Sequence, residues 1–292
     1  MKGKPLSKPV GLSASGFLKL IRFPNLVIIV LTQYMAAVFL VGNEGEALRY
    51  ISDPNLFKLV LATVLIAAAG YIINDYYDVK IDFINKPDRV VVGRVLKRRM
   101  AMVLHTAINF IGIFIGFTLS WKIGLFCFAS AFTLWFYSNQ LKRLPLIGNC
   151  FVGLLTGAAL FLVVMYYQQN VYLVNIYAFF AFSITLIREI IKDIEDQKGD
   201  ADFGCLTLPV VLGLRKTKWV LYFLIACFVF IMFFLAHQLA NTTLTIYFLL
   251  LVGPLGYFVY YLAQADTVKH FTYLSNFCKI IMLSGILSMM FF

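Results

Sequence analysis

The 292 residues are 61% hydrophobic and only 13% charged, with a mean hydropathy of +0.86, more apolar surface than a soluble core of this size requires, which places the chain in a bilayer. The formal charge of +11 therefore does not mark a nucleic-acid binder, because excess Lys and Arg in a membrane protein gathers in cytoplasmic connections. Cys127, Cys150, Cys205, Cys227 and Cys278 lack CxxC spacing, and His105, His237 and His270 are equally dispersed, which argues against a disulfide frame or a soft-metal centre.

A spanning helix needs about 20 mostly apolar residues. A short lysine-bearing lead without a small-residue cleavage site precedes the first apolar run, which is read as a retained helix at 19–41. Further runs follow at 56–73, 100–119, 122–138, 146–167, 171–190, 218–238, 243–263 and 272–291. Unbroken apolar runs exclude the alternation of a β-barrel, so the expected fold is an all-α bundle of about nine transmembrane helices. The run at 122–138 is the shortest.

Basic residues fall in alternate connections. Lys2, Lys4, Lys8, Lys19 and Arg22 lead into the first helix, and Lys80, Lys86, Arg89, Arg94, Lys97, Arg98 and Arg99 follow the second. Lys142 and Arg143 follow the fourth; Arg188, Lys192, Lys198, Arg215, Lys216 and Lys218 surround the end of the sixth. Glu44, Glu46 and Asp53 lie in the first opposite connection. The positive-inside rule then puts the N-terminus and the long loops 74–99 and 188–218 in the cytoplasm, with the C-terminus outside.

Two segments break the apolar pattern in the same way. NDYYDVKID (74–82) carries Asp75, Asp78 and Asp82; KDIEDQKGD (192–200) carries Asp193, Asp196 and Asp200 at identical spacing. Both follow a membrane helix on the same expected face, as a duplicated four-helix unit would read, with pseudo-repeats near 19–138 and 146–263 and an extra helix at 272–291. On a continuing helix, positions i, i+3 and i+7 share a face, so each motif presents three carboxylates together. A single such cluster reads equally well as solvated acids balanced by neighbouring Lys and Arg. Two matched copies favour Mg²⁺, which is held by carboxylates, waters and substrate phosphates, with two clusters suited to two ions on a diphosphate. Arg89, Arg94, Lys142 and Lys192 would complete a cationic clamp for a departing diphosphate.

These motifs, with NKPDRVVVGRV after the first, YSNQLKR at 137–143 and TLP at 207–209, resemble the UbiA superfamily of intramembrane polyprenyl transferases. The resemblance covers nearly the whole chain and implies Mg²⁺-dependent alkyl transfer from an allylic isoprenyl diphosphate within the membrane. It implies that Asn74, Asp75, Asp78 and Asp82 form one metal-diphosphate motif and Asp193, Asp196 and Asp200 the other. Arg89, Lys142 and Lys192 match the family's diphosphate-side cations, and Tyr137 lies in a matched segment. Val90 departs from relatives that often carry proline after the arginine. Arg22, Pro24 and Asn25 resemble the R-x-P-N helix start of the geranylgeranylglycerol-phosphate geranylgeranyltransferases, as does YSNQLKRLPLIGN. That branch implies a prenylglycerol phosphate acceptor, with Arg22 on its phosphate; a helix-start arginine at headgroup depth is the competing reading of that residue. An aromatic acceptor such as 4-hydroxybenzoate or a naphthoate is the rival reaction. A cation or proton transporter is the rival class, disfavoured because the acids lie at helix ends and the helix interiors carry almost no charge. Lys279 in the last helix is the clearest exception, without a functional account.

Overall fold

The computed structural model describes residues 13–42 and 44–292; the predicted lead lysines Lys2, Lys4 and Lys8 lie outside the described residues. The chain forms α1 (Ala14–Leu20), α2 (Phe23–Met35, prolonged by a π-helix Ala36–Val41), α3 (Ala47–Ile51), α4 (Pro54–Asn85), α5 (Arg98–Leu119), α6 (Trp121–Asn139), α7 (Ile147–Tyr167), α8 (Val171–Asp202), α9 (Leu208–Leu239), α10 (Thr242–Gln264) and α11 (Val268–Leu287). All nine predicted spans are helical. Eight helices among the described residues are long and apolar enough to cross a membrane; the ninth predicted segment is the 19-residue α6, which is not one of those eight. The protein is an integral, multi-pass, all-α membrane protein.

Three helices exceed the spans read from hydropathy. The runs expected at 56–73 and 171–190 belong to helices that continue to Asn85 and Asp202, and α4, α8 and α9 each contain 32 residues. Charged residues end an apolar run without ending a helix, because Asp, Lys and Glu cost only tenths of a kcal/mol in a helix interior. Both aspartate motifs are therefore helical. In α9 the helix is broken at Gly213, whose φ of 74° and ψ of 165° separate a short cap, Leu208 onward, from the membrane segment predicted from 218.

The chain divides into two compact units: residues up to Val30 with Pro54–Leu141, and Leu31–Asp53 with Lys142–Phe292. In the first, α4 packs on α5 and α6. Gly112 brings α5 close to α4, since a Cβ there would lie 3.2 Å from the Ala62 carbonyl oxygen; small residues serve helix association in lipid by such approach. The connection after α4 is not an open loop. Val91, Val92 and Leu96 are buried with Leu20, Ile21, Ala68 and Ile72, and Gly93, at φ 85°, lets its N–H donate to Leu96 O at 2.8 Å. Val90 has φ −66°, the value a proline ring would impose, so the departure from the family pattern at this position leaves its φ unaltered.

In the second unit α8 is central, packing on α7, α9 and α11, while α10 lies on α9. Ile187, Ile190, Ile191 and Ile194 supply its buried face, with Leu221, Phe258 and Leu274 from the surrounding helices. Gly157 of α7 meets α8 closely; a Cβ there would lie 2.8 Å from the Ala178 carbonyl oxygen. Two polar contacts cross between segments of this unit. Gln33 donates to Ala159 O at 2.7 Å, and Tyr167 donates to Asp53 at 2.8 Å.

Candidate active site

The first motif occupies the last turns of α4. Asn74 donates through Nδ2 to Asp78 Oδ2 at 2.8 Å, one turn along the same face. Asp75 accepts from Arg22 Nη2 at 3.0 Å. Asp82 stands a further turn on, half-buried, and its charge also acts on Arg22. Three carboxylates on one face therefore have an arginine among them, which is what their mutual repulsion requires.

Arg22 joins α1 to α2 in a left-handed conformation, φ 51°. Its N–H donates to Lys19 O and its carbonyl accepts from Asn25 N, so it ends one helix and starts the next. Glycine is the usual residue there, and a side chain costs roughly 1–2 kcal/mol. A partly exposed ion pair returns about 1 kcal/mol at most. The guanidinium also lies 4.9 Å from the Tyr71 ring centroid, adding about 0.5–1 kcal/mol. The arginine is held only by these contacts acting together. Burial works against its charge, but Asp75 first, then Tyr71 and Asp82, outweigh that and keep the guanidinium above its ordinary pKa. Asn25 donates to the Tyr71 hydroxyl at 3.3 Å.

Basic groups pin the following connection to the helix ends. Lys19 Nζ donates to Asp88 O at 2.6 Å, and Arg98 donates to Tyr76 O at 3.3 Å while lying over the Tyr76 ring. Arg94 is exposed and donates to Pro87 O at 3.3 Å, so it braces its own loop. Arg89 closes a single 3-10 turn, Pro87–Arg89; its side chain lies outside the described part of the structure. Tyr137, near the end of α6, is half-buried.

The second motif lies on α8, and Asp193 and Asp200 each have a support of their own. Asp193 accepts from Asn149 Nδ2, on α7, at 2.8 Å. Asp200 is buried and accepts from Thr207 Oγ1 at 3.4 Å, while its carbonyl accepts from Cys205 N. Asp196 stands between them on the same face, half-buried. Lys192 donates to both oxygens of the buried Glu189, at 3.0 and 2.8 Å, and Arg188 donates to the same carboxylate at 2.9 Å. Lys142 sits half-buried in the turn Leu141–Arg143, which is tied to the chain after α8 by Leu206 N donating to Arg143 O at 2.8 Å.

Among the described residues no three His, Cys, Asp or Glu side chains converge as a metal cage. Mg²⁺ keeps several waters and takes one or two carboxylates together with substrate phosphates, and all the donors on both motifs are hard oxygens. Sequence reading did not single out Tyr71, Asn149, Glu189 or Thr207. Asn149 and Thr207 lie inside the matched segments LIGN and TLP, and Glu189 is a charge inside an apolar run, a signal in its own right.

Residues 29–280 match the UbiA prenyltransferase family. This chain belongs to that family. It is 36% identical to the digeranylgeranylglyceryl phosphate synthase of Pyrococcus horikoshii over 61% of this chain and 65% of that one. With the synthase of the same description from Saccharolobus solfataricus it shares 30% identity over 95% of this chain and 96% of that protein. The solved UbiA homologue from Archaeoglobus fulgidus bound to DMAPP and Mg²⁺ has the same fold, with a TM-score of 0.64 and 14% identity over 94% of this chain and 98% of that one. Both aspartate motifs fall within the UbiA match, whereas Arg22 and Asn25 precede it.

Proposed function

We propose that this prenyltransferase transfers a polyprenyl group from an allylic isoprenyl diphosphate to the hydroxyl of a prenylglycerol phosphate, a step of ether-lipid synthesis. The observation that carries the reading is the pair of matched aspartate motifs, each on the extension of a 32-residue helix and each with polar supports already in place. The names of the Pyrococcus and Saccharolobus relatives support the acceptor, and the Archaeoglobus homologue supports the donor class and Mg²⁺.

In this reading Asn74, Asp75, Asp78 and Asp82, and Asp193, Asp196 and Asp200, would hold Mg²⁺ on the diphosphate, two ions in all. Bound metal supplies charge neutralisation for the diphosphate as the C–O bond breaks. Lys192, Lys142, Arg89 and Arg94 add cationic hydrogen bonds to the same leaving group. Glu189 fixes Lys192, and Asn149 and Thr207 fix the carboxylates that they touch, so little reorganisation remains when charge develops. Tyr137 would serve the substrate site, and Arg22 with Asn25 would receive the acceptor phosphate. The motifs face the cytoplasm, on the side where the basic connections gather.

The test is purified protein with Mg²⁺, labelled geranylgeranyl diphosphate and a panel of acceptors. Product is expected with the prenylglycerol phosphate. Product only with 4-hydroxybenzoate or a naphthoate would move the enzyme to quinone synthesis, and no product with any acceptor would remove the reading.

A further inference from the structure

Tyr71 holds both polar residues of the α2 start. Its ring lies under the Arg22 guanidinium at 4.9 Å, and its hydroxyl accepts from Asn25 at 3.3 Å. It sits one helical turn before Asp75, on the same face of α4, so the arginine is gripped by a ring and a carboxylate at i and i+4. The ring is itself fixed, because it packs against the buried cluster of Leu20, Ile72 and Val91. Asp75 engages Nη2, and the remaining N–H donors of the planar fork are suited to a second, bidentate anion. The left-handed backbone at Arg22, where glycine would sit with less strain, marks the side chain as one with a task.

We propose that Tyr71 is a specificity-determining positioning residue that presents Arg22 and Asn25 together to the phosphate of the acceptor. The inference rests on the acceptor reading above. In this reading Tyr71 does not touch the substrate. It acts by fixing the two groups that do the binding, and so it governs how strongly the enzyme prefers a phosphorylated acceptor over the same prenylglycerol without phosphate.

The test compares wild type with Tyr71→Phe, which keeps the ring and loses the anchor for Asn25, and Tyr71→Leu, which loses both. KM for the prenylglycerol phosphate is expected to rise about fivefold in the first and about twentyfold in the second. Affinity for a non-reacting thio-diphosphate analogue of the donor, measured by direct binding, is expected to stay within about twofold. In an Arg22→Gln background Tyr71→Leu is expected to add little, because the group it positions is already gone.

Equal loss of donor and acceptor affinity, or losses that multiply in the double variant, would overturn the proposal by showing a general packing role. Tyr71→Phe keeps the test available if Tyr71→Leu does not fold, and an unchanged acceptor KM in Tyr71→Phe would count against the proposal. A wild-type enzyme indifferent to the acceptor phosphate would remove the acceptor reading and this inference together. A discriminating wild type with equally discriminating variants would remove only the inference.

Discussion

Asp75 and Asp193 carry the same place in their motifs but have different keepers. A cationic Arg22 holds one, and the neutral amide of Asn149 holds the other. The difference has measurable consequences. If Asp75 holds the cation as proposed, Arg22 competes for it, so Arg22→Gln is expected to strengthen Mn²⁺ binding in the absence of donor by about fivefold, read by electron paramagnetic resonance, while raising acceptor KM. Asn149→Ala removes a hydrogen bond to a charged group and is expected to lower kcat/KM by about 10- to 100-fold, with helix content retained by circular dichroism. Asp78→Ala or Asp193→Ala is expected to reduce Mg²⁺-dependent transfer by at least about 100-fold in protein that still elutes as a folded species; ordinary turnover in either variant would dismiss the metal roles. The aspartates themselves were legible because their spacing repeats along the sequence. Their keepers were not, since Arg22 and Asp75 lie far apart in the chain and no periodicity links them. Tyr71 is an aromatic in an apolar run, where the usual reading is packing, and only the fold shows Arg22 lying over it.

At the scale of the helix, hydropathy located every span and misjudged where two of them stop. The transfer cost of Asp and Lys ended the apolar windows at 73 and 190, yet backbone hydrogen bonding continues to Asn85 and Asp202. The start of α9 shows a second feature invisible to pattern reading. Thr207 is its N-cap but makes no capping hydrogen bond. Pro209 has no N–H to satisfy, and Val210 and Val211 both donate to the Thr207 carbonyl at 3.0 Å, so the hydroxyl is available to Asp200. The contact of α7 with α8 is equally specific. Gly157→Leu sets side-chain carbon against the Ala178 carbonyl and is expected to cost about 1–3 kcal/mol, seen as a lower thermal midpoint in detergent; an unchanged midpoint would mean that the helices separate freely there.

For the whole molecule, the two compact units each contain one motif, and we propose that they descend from one duplicated four-helix element, with α11 added. The charge asymmetry of the connections is the basis for the proposed orientation. Cysteine introduced at the exposed Asp88 is expected to react with an impermeant maleimide only from the cytoplasmic side, and cysteine at the exposed Gly45 only from the other. The reverse pattern would invert the topology.

The length of α4 and α8 has a further consequence. Asp75 lies about 32 Å along α4 from Pro54, and Asp193 about 33 Å along α8 from Val171, just beyond a hydrocarbon core of roughly 30 Å. Each helix is thus a ruler. With its first turn at the far interface, it would set the height at which its carboxylates stand, so that a diphosphate head would stay hydrated while the isoprenoid chain remained in oil. Reaction rate in nanodiscs should then peak at one acyl length and fall on either side as the bilayer thickens or thins past that mark.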